Sequence, residues 1–175
     1  MPIYRQISAR IVTKRVPEMF LRRFIEQGGQ CRSLTIVSPW IAPLHDSQYT
    51  LGQVVSRIRT GRVPTYVITR PPALAWHREA VEILMACPYV EVNFNEVLHA
   101  KFFVCEREPY GYALLGTANL TMQGITGYEV GIMIEGTGGG QPIVDGLRDL
   151  GQITLRSLKE TQCIKRIERR KERKP

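Results

Sequence analysis

The stretch Leu98-His99-Ala100-Lys101-Phe102-Phe103-Val104-Cys105-Glu106 decides how this chain is read. It is rich in aromatic and apolar residues, which predicts a strand over residues 98–106. Side chains two apart on a strand share a face, so His99 and Lys101 project together. Lysine is costly to bury without a partner. A His and a Lys side by side on a strand otherwise built from Phe, Leu and Val therefore point to a site. On spacing alone, an exposed strand edge accounts for the pair equally well.

Gly116-Thr117-Ala118-Asn119, at the end of the next predicted strand, shifts that balance. It offers a glycine for close approach, a hydroxyl and an amide donor, the groups that hold phosphate oxygens without a metal. Ten residues past Asn119, Glu129 starts a further strand, with Gly124 and Gly127 turning the chain between them.

Working outward, Phe20, Leu21, Phe24 and Ile25 recur at helical spacing over residues 17–27, and Gly28 and Gly29 stop that helix. Residues 33–41, SLTIVSPWI, read as a buried strand. A second helix carries the stripe Leu51, Val54, Val55 and Ile58, with Asp46 or Ser47 as its cap, and ends at Gly61. Residues 64–69 form a strand. Pro71 and Pro72 break it and open a third helix to about residue 87. Residues 89–94, 112–120 and 128–136 supply more strands. A glycine-rich loop over 136–142 precedes a last helix with Ile143, Leu147, Leu150 and Leu158. Elements alternate early and strands cluster late. The expected fold is α/β (α+β), a mixed β-sheet flanked by helices on both faces.

The chain has 175 residues, enough for one domain, expected over residues 1–158. Residues 156–175 hold nine Lys/Arg against three Asp/Glu, which accounts for six of the eight net positive charges. A basic tail over 159–175 on a near-neutral domain fits a polyanionic partner, most often nucleic acid, and also fits a solvated, frayed end. No stretch approaches the ~20 apolar residues of a membrane span. The charged first fifteen residues lack the apolar region of a secretory signal, so the expected location is cytoplasmic. Cys31, Cys87, Cys105 and Cys163 form no CxxC pair, so neither a short-spaced zinc site nor a disulfide framework is expected. Cys87 and Cys105 read as small core residues.

Together, His99-Ala100-Lys101, Glu106 after four intervening residues, Gly116-Thr117-Ala118-Asn119 and the later Glu129 resemble the H-x-K-x4-D and G-S-x-N motifs of the phospholipase D superfamily. Ser38-Pro39-Trp40-Ile41, after the first core strand, is similar to the family as well. The resemblance spans residues 17–158, and its small bacterial endonucleases are the members most similar in length. Glu106 stands where the family has Asp, and Thr117 where it has Ser; both keep the hydrogen-bonding chemistry.

The resemblance implies a metal-independent phosphodiesterase with no cofactor. His99 attacks phosphorus to form a phosphohistidine, and a second His protonates the leaving oxygen and then activates water. Lys101 and Asn119 stabilise charge on the phosphoryl oxygens, and Thr117 adds a hydrogen bond. Glu129 would hold a ring nitrogen of His99, while Glu106 and Gly116 are structural. Neither His45 nor His77 has a Lys two residues on, so the second set would come from a second copy of the chain in a homodimer. Trp40 and Tyr49 are candidates for base stacking and, more ordinarily, core or rim residues. Three functions follow. The first is a nuclease acting on DNA or RNA. The second is a lipid phosphodiesterase or phosphatidyl transferase, with Ile164 and Ile167 in the tail as a weak interfacial feature. The third is a catalytically silent nucleic-acid-binding module.

Overall fold

The computed structural model describes residues 7–27, 30–107 and 110–137, together with Gly146. Its framework is one seven-stranded mixed sheet in the order β1-β7-β6-β5-β2-β3-β4. The strands are β1 (Ile7–Val12), β2 (Cys31–Val37), β3 (Thr65–Thr69), β4 (Val90–Phe94), β5 (Phe102–Arg107), β6 (Tyr110–Gly116) and β7 (Gly131–Thr137). Strands β2, β3 and β4 run parallel, and β2, β5, β6, β7 and β1 pair antiparallel in turn. Helices α1 (Val16–Glu26), α2 (Leu51–Gly61) and α3 (Ala75–Met85), with the short α4 (Met122–Thr126), pack on it. The fold is α/β with a mixed sheet, as the sequence predicts; the helices expected on both faces are, among the described residues, all packed on one.

Strand alternation sorts the core. Leu34 and Ile36 of β2, Val67 of β3, Phe103 and Cys105 of β5, Tyr112 and Leu114 of β6 and Met133 of β7 share one cluster with Phe20, Leu21 and Phe24 of α1. The stripe Leu51, Val54, Val55 and Ile58 of α2, Ala80 and Leu84 of α3 and Ile125 of α4 join the same cluster. The intervening residues Val37, Ile68, Phe102, Val104 and Ala113 form a second, smaller cluster with Leu98 on the opposite face. The expected helix with Ile143, Leu147, Leu150 and Leu158, the basic tail, Cys163, and Gly28 and Gly29 lie outside the described residues.

Several local expectations change. Helix α2 is capped by Thr50, not by Asp46 or Ser47: Thr50 accepts from the Gln53 amide, and the Gln53 side chain accepts from the Thr50 amide. The Ser47 hydroxyl accepts from the Tyr49 amide and donates to Glu18. Strand β1 and helix α4 are elements the sequence pattern does not announce.

Glu18 is a buried carboxylate that organises the start of α1. Arg15, whose φ of 50° is left-handed, donates to it from both Nε and Nη2, and Ser47 donates at 2.9 Å. The Arg15 guanidinium holds the Glu18 carboxyl below its usual range against the opposing effect of burial. Arg23 does the same for Glu135 of β7. A carboxylate whose pKa is lowered by folding contributes stability above its unfolded pKa of about 4.3, and that contribution is lost as pH falls. Glu18→Gln should therefore lower stability at pH 7 by about 1–3 kcal/mol. It should also shrink the stability lost between pH 7 and pH 3, as read from urea midpoints. An acid limb identical to that of the wild type would show that Glu18 is not linked to folding.

Candidate active site

The three parallel strands deliver their carboxyl ends to one place. Open α/β sheets bind ligands beyond those ends. The Ser38–Ile41 segment follows β2, Arg70 follows β3, and residues 95–101 follow β4. There β2 ends opposite Phe102, and on the other side β6 pairs Leu115 with Phe102 and is left at Gly116. Residues 98–101, expected as the start of a strand, thus have no ladder on either flank. Strand β5 begins at Phe102, and His99 and Lys101 lie on its lead-in.

That lead-in is nevertheless fixed. Asn95 accepts from the Val97 amide at 3.0 Å, Leu98 is buried, and Arg70 Nε donates to the Leu98 carbonyl at 2.9 Å. One hydrogen bond, from the Gly116 amide to the Lys101 carbonyl at 3.3 Å, joins the lead-in to the end of β6. His99 is exposed, and among the described residues its ring makes no hydrogen bond. Lys101 Nζ donates to the His99 carbonyl at 2.8 Å.

Gly116 is required by close approach: a Cβ there would lie 2.4 Å from the Val130 carbonyl oxygen. The following residue, Thr117, donates its hydroxyl to the Glu129 carboxylate and accepts from the Val130 amide at 3.1 Å. Glu129 therefore bonds Thr117 and makes no bond to His99. It lies just ahead of β7, not in it. The amide oxygen of Asn119 is buried without a partner among the described residues. Gly124 lets α4 close on this loop, since a Cβ would sit 2.1 Å from the Asn119 carbonyl oxygen.

The Ser38-Pro39-Trp40-Ile41 segment is bonded to the same loop. The Ser38 hydroxyl accepts from the Leu120 amide at 3.0 Å and donates to the Trp40 carbonyl at 2.8 Å. Ile41 bridges Leu120, and the Ala42 amide donates to the Leu120 carbonyl at 2.8 Å. The motif elements His99, Lys101, Gly116, Thr117, Asn119 and Glu129 are thus gathered at one end of the sheet. Glu106 is not among them. Five residues along β5 from Lys101, about 16 Å at strand rise, it accepts from Ser33 of β2 across the sheet.

The other histidines divide sharply. His45 is exposed and pairs with Glu79 at 2.9 Å. His77 is fully buried. Thr69 Oγ1 donates to the Pro39 carbonyl, so it accepts from His77 Nε2 at 3.0 Å, and Nδ1 has no partner among the described residues. Burial pushes the His77 pKa down and keeps the ring neutral. Tyr49 is core, its hydroxyl bonded to Glu26, whereas Trp40 lines an open cleft with Trp76 and Asn119. Arg70 and Trp76 are site neighbours that the motif reading omits. An Arg set directly after a parallel strand was the available signal. Among the described residues no three His, Cys, Asp or Glu side chains gather as a metal site, and no helix is long and apolar enough to cross a membrane.

No protein-family model matches the sequence, and no curated protein matches it. Solved structures do. A phospholipase D family member, Nuc from Salmonella typhimurium, is similar over 84% of this chain and 93% of its own, at 12% identity and a TM-score of 0.59. NucT from Helicobacter pylori is similar over 87% and 98%, at 14% identity and a TM-score of 0.60. Polyphosphate kinase from Porphyromonas gingivalis is similar over 89% of this chain but only 26% of its own, at 15% identity and a TM-score of 0.57. The likeness spans nearly the whole of the two small proteins and one part of the large one, and it is a likeness of fold. This chain has the fold of the phospholipase D superfamily.

Proposed function

We propose that the chain is a metal-independent phosphodiesterase, a nuclease that cuts DNA or RNA through a phosphohistidine on His99. The observation that supports this most is the gathering of His99-Ala100-Lys101 and Gly116-Thr117-Ala118-Asn119 at the facing ends of β5 and β6. His99 is open to solvent, as a nucleophile needs. A ring nitrogen attacks phosphorus; the P–N bond forms as the P–O ester bond breaks, and the leaving oxygen takes a proton from a second histidine. Water then attacks phosphorus, gives its proton to that second histidine, and the P–N bond breaks. Lys101 has no carboxylate partner among the described residues, so its charge is available to the phosphoryl oxygens, and Asn119 adds its amide. Thr117, Glu129 and Gly116 act as positioning residues: the Glu129 carboxylate fixes Thr117, and Gly116 sets the approach of β6 to β7. Glu106 ties β5 to β2 at a distance from the chemistry.

The second histidine would come from a second copy of this chain, the site being shared across a twofold axis. His77 is sealed in the core, and His45, exposed and hydrogen-bonded to Glu79, has no Lys two residues on to complete a second His-Lys-Asn set. Exposed apolar residues flank Glu129: Tyr128 and Val130 beside it, and Ile132 opposite Ile11 on β1. A surface of that kind fits a self-complementary contact next to the site. The tail over 159–175 supplies charge for the polyanion and takes no part in the chemical step.

Cleavage of labelled oligonucleotides should persist in excess EDTA and fall at least about 1,000-fold in kcat for His99→Ala. Activity that vanishes with chelator and returns with magnesium would overturn the phosphohistidine route. Co-refolding equal amounts of wild-type and His99→Ala chains should leave about a quarter of dimers fully wild type, and so about half the activity of the same wild-type chains alone. Activity proportional to the wild-type fraction would mean that each chain works by itself. Deleting residues 164–175 should weaken oligonucleotide binding and flatten its salt dependence while a small phosphodiester is cut as before. An unchanged salt slope would remove the tail from substrate binding.

A further inference from the structure

We propose that the cleft walled by Trp40 and Trp76 is a stacking subsite for one unpaired nucleobase, adjoining the phosphodiester position at His99; this rests on the nuclease reading above and names the feature of the substrate it engages. The chain has two tryptophans, and both line this one cleft of about 600 Å³. That volume lies in the range of small-molecule sites. Leu74 and Met122 add apolar walls, and Asn119, His45 and Asp46 are among the polar ones.

The two indoles are held in place from behind. Their centroids are 6.2 Å apart with planes inclined at 58°. His77 packs against both, 5.4 Å from Trp40 and 5.8 Å from Trp76. Fully buried, neutral and bonded to Thr69, it is a fixed support and not a reacting group. Trp76 is 39% exposed and Leu74 46%. Large apolar side chains left open at the mouth of a preformed aromatic corner call for a flat apolar ligand. A nucleobase supplies a π-face for one ring and an edge for the inclined one.

Two connections tie the cleft to the reacting phosphate. Asn119 lines the cleft and belongs to the Gly116–Asn119 turn. Arg70 places its guanidinium over the Trp40 ring, 5.6 Å from the centroid, while its Nε holds the Leu98 carbonyl one residue before His99. A positive charge therefore lies between the aromatic corner and His99, where the backbone phosphate of a nucleotide would run. An acyl chain has no use for that arrangement, since it needs a continuous aliphatic channel and gains nothing from a ring face. A base inside a duplex has both faces covered by its neighbours, so the cleft selects a base from a single strand or one turned out of the helix.

Because both tryptophans face the cleft, intrinsic fluorescence reports it directly. The full chain carrying His99→Ala, which leaves the strand intact, is titrated with four probes. These are an eight-nucleotide single strand, the same strand with abasic sites throughout, its duplex, and phosphatidylglycerol vesicles. The single strand should shift or quench the emission and bind more tightly than the abasic strand and the duplex. Trp76→Leu should weaken single-strand binding roughly 5- to 150-fold, the span of one base stack, while Trp76→Phe keeps most of it. Circular dichroism of each variant separates lost stacking from lost folding, and the Phe variant carries the comparison if the Leu variant does not fold. Equal binding of abasic and intact strands, equal binding of the duplex, or a stronger response to vesicles would each overturn the proposal. Failure of the nuclease reading looks different. Discrimination of bases without cleavage by the wild type leaves the subsite standing and removes the reaction. Cleavage in EDTA without base discrimination removes the subsite alone.

Discussion

The Ser38 hydroxyl, fully buried, joins the two loops on which the site depends. By accepting from the Leu120 amide and donating to the Trp40 carbonyl it satisfies a main-chain group in each loop. Buried polar groups of the backbone are costly when unpaired, and these two lie where the regular ladders have already ended. Without that hydroxyl the main-chain bonds described between this turn and the loop after β2 would be those of Ile41 and Ala42 with Leu120. With it, the turn that carries Thr117 and Asn119 is held against the loop that carries Trp40.

The same joint explains why the segment carrying His99 and Lys101 is irregular. Strand β2 cannot extend along residues 98–101, because it turns at Ser38-Pro39 and proline has no amide to donate. Strand β6 cannot extend either, because the chain leaves it at Gly116 for the turn that reaches Leu120. His99 is therefore positioned by three local devices, the Asn95 turn, the buried Leu98 side chain and the Arg70 bond to the Leu98 carbonyl.

Much of this was legible in the chain itself. The stripe Leu51, Val54, Val55 and Ile58 identified α2, because it reports burial on one face, and the continuous apolar run Phe102 to Cys105 identified β5, because it reports burial on both. The gathering of His99, Lys101, Thr117 and Asn119 followed from their motif. What escaped has a physical reason in each case. The residues of β1 are almost all exposed along its length, so no alternation marks it. Helix α4 has five residues, too few for a period. The start of β5 was placed four residues early because His99-Ala100-Lys101 is extended in sequence terms, and only tertiary context reveals that both flanking strands have ended. Thr50 took the cap of α2 because Gln53 stands three residues on to complete the reciprocal pair, while Ser47 was already committed to Glu18. Glu129 was expected on His99 and is instead bonded to Thr117, a choice that depends on how β6 and β7 meet and not on spacing.

The closeness of Gly116 to Val130 bears on how far such a sequence can drift. There the distance between two segments is set by main chain against main chain, with no side chain between to act as spacer. Residues that point away from the contact can change without altering the gap, provided position 116 stays glycine. The Thr117 hydroxyl reaches across that gap to the Glu129 carboxylate and the Val130 amide. Identities of 12 to 15% across a shared architecture are what a scaffold of this kind permits. At this point the constraint falls on the spacing of the backbone and on one missing side chain.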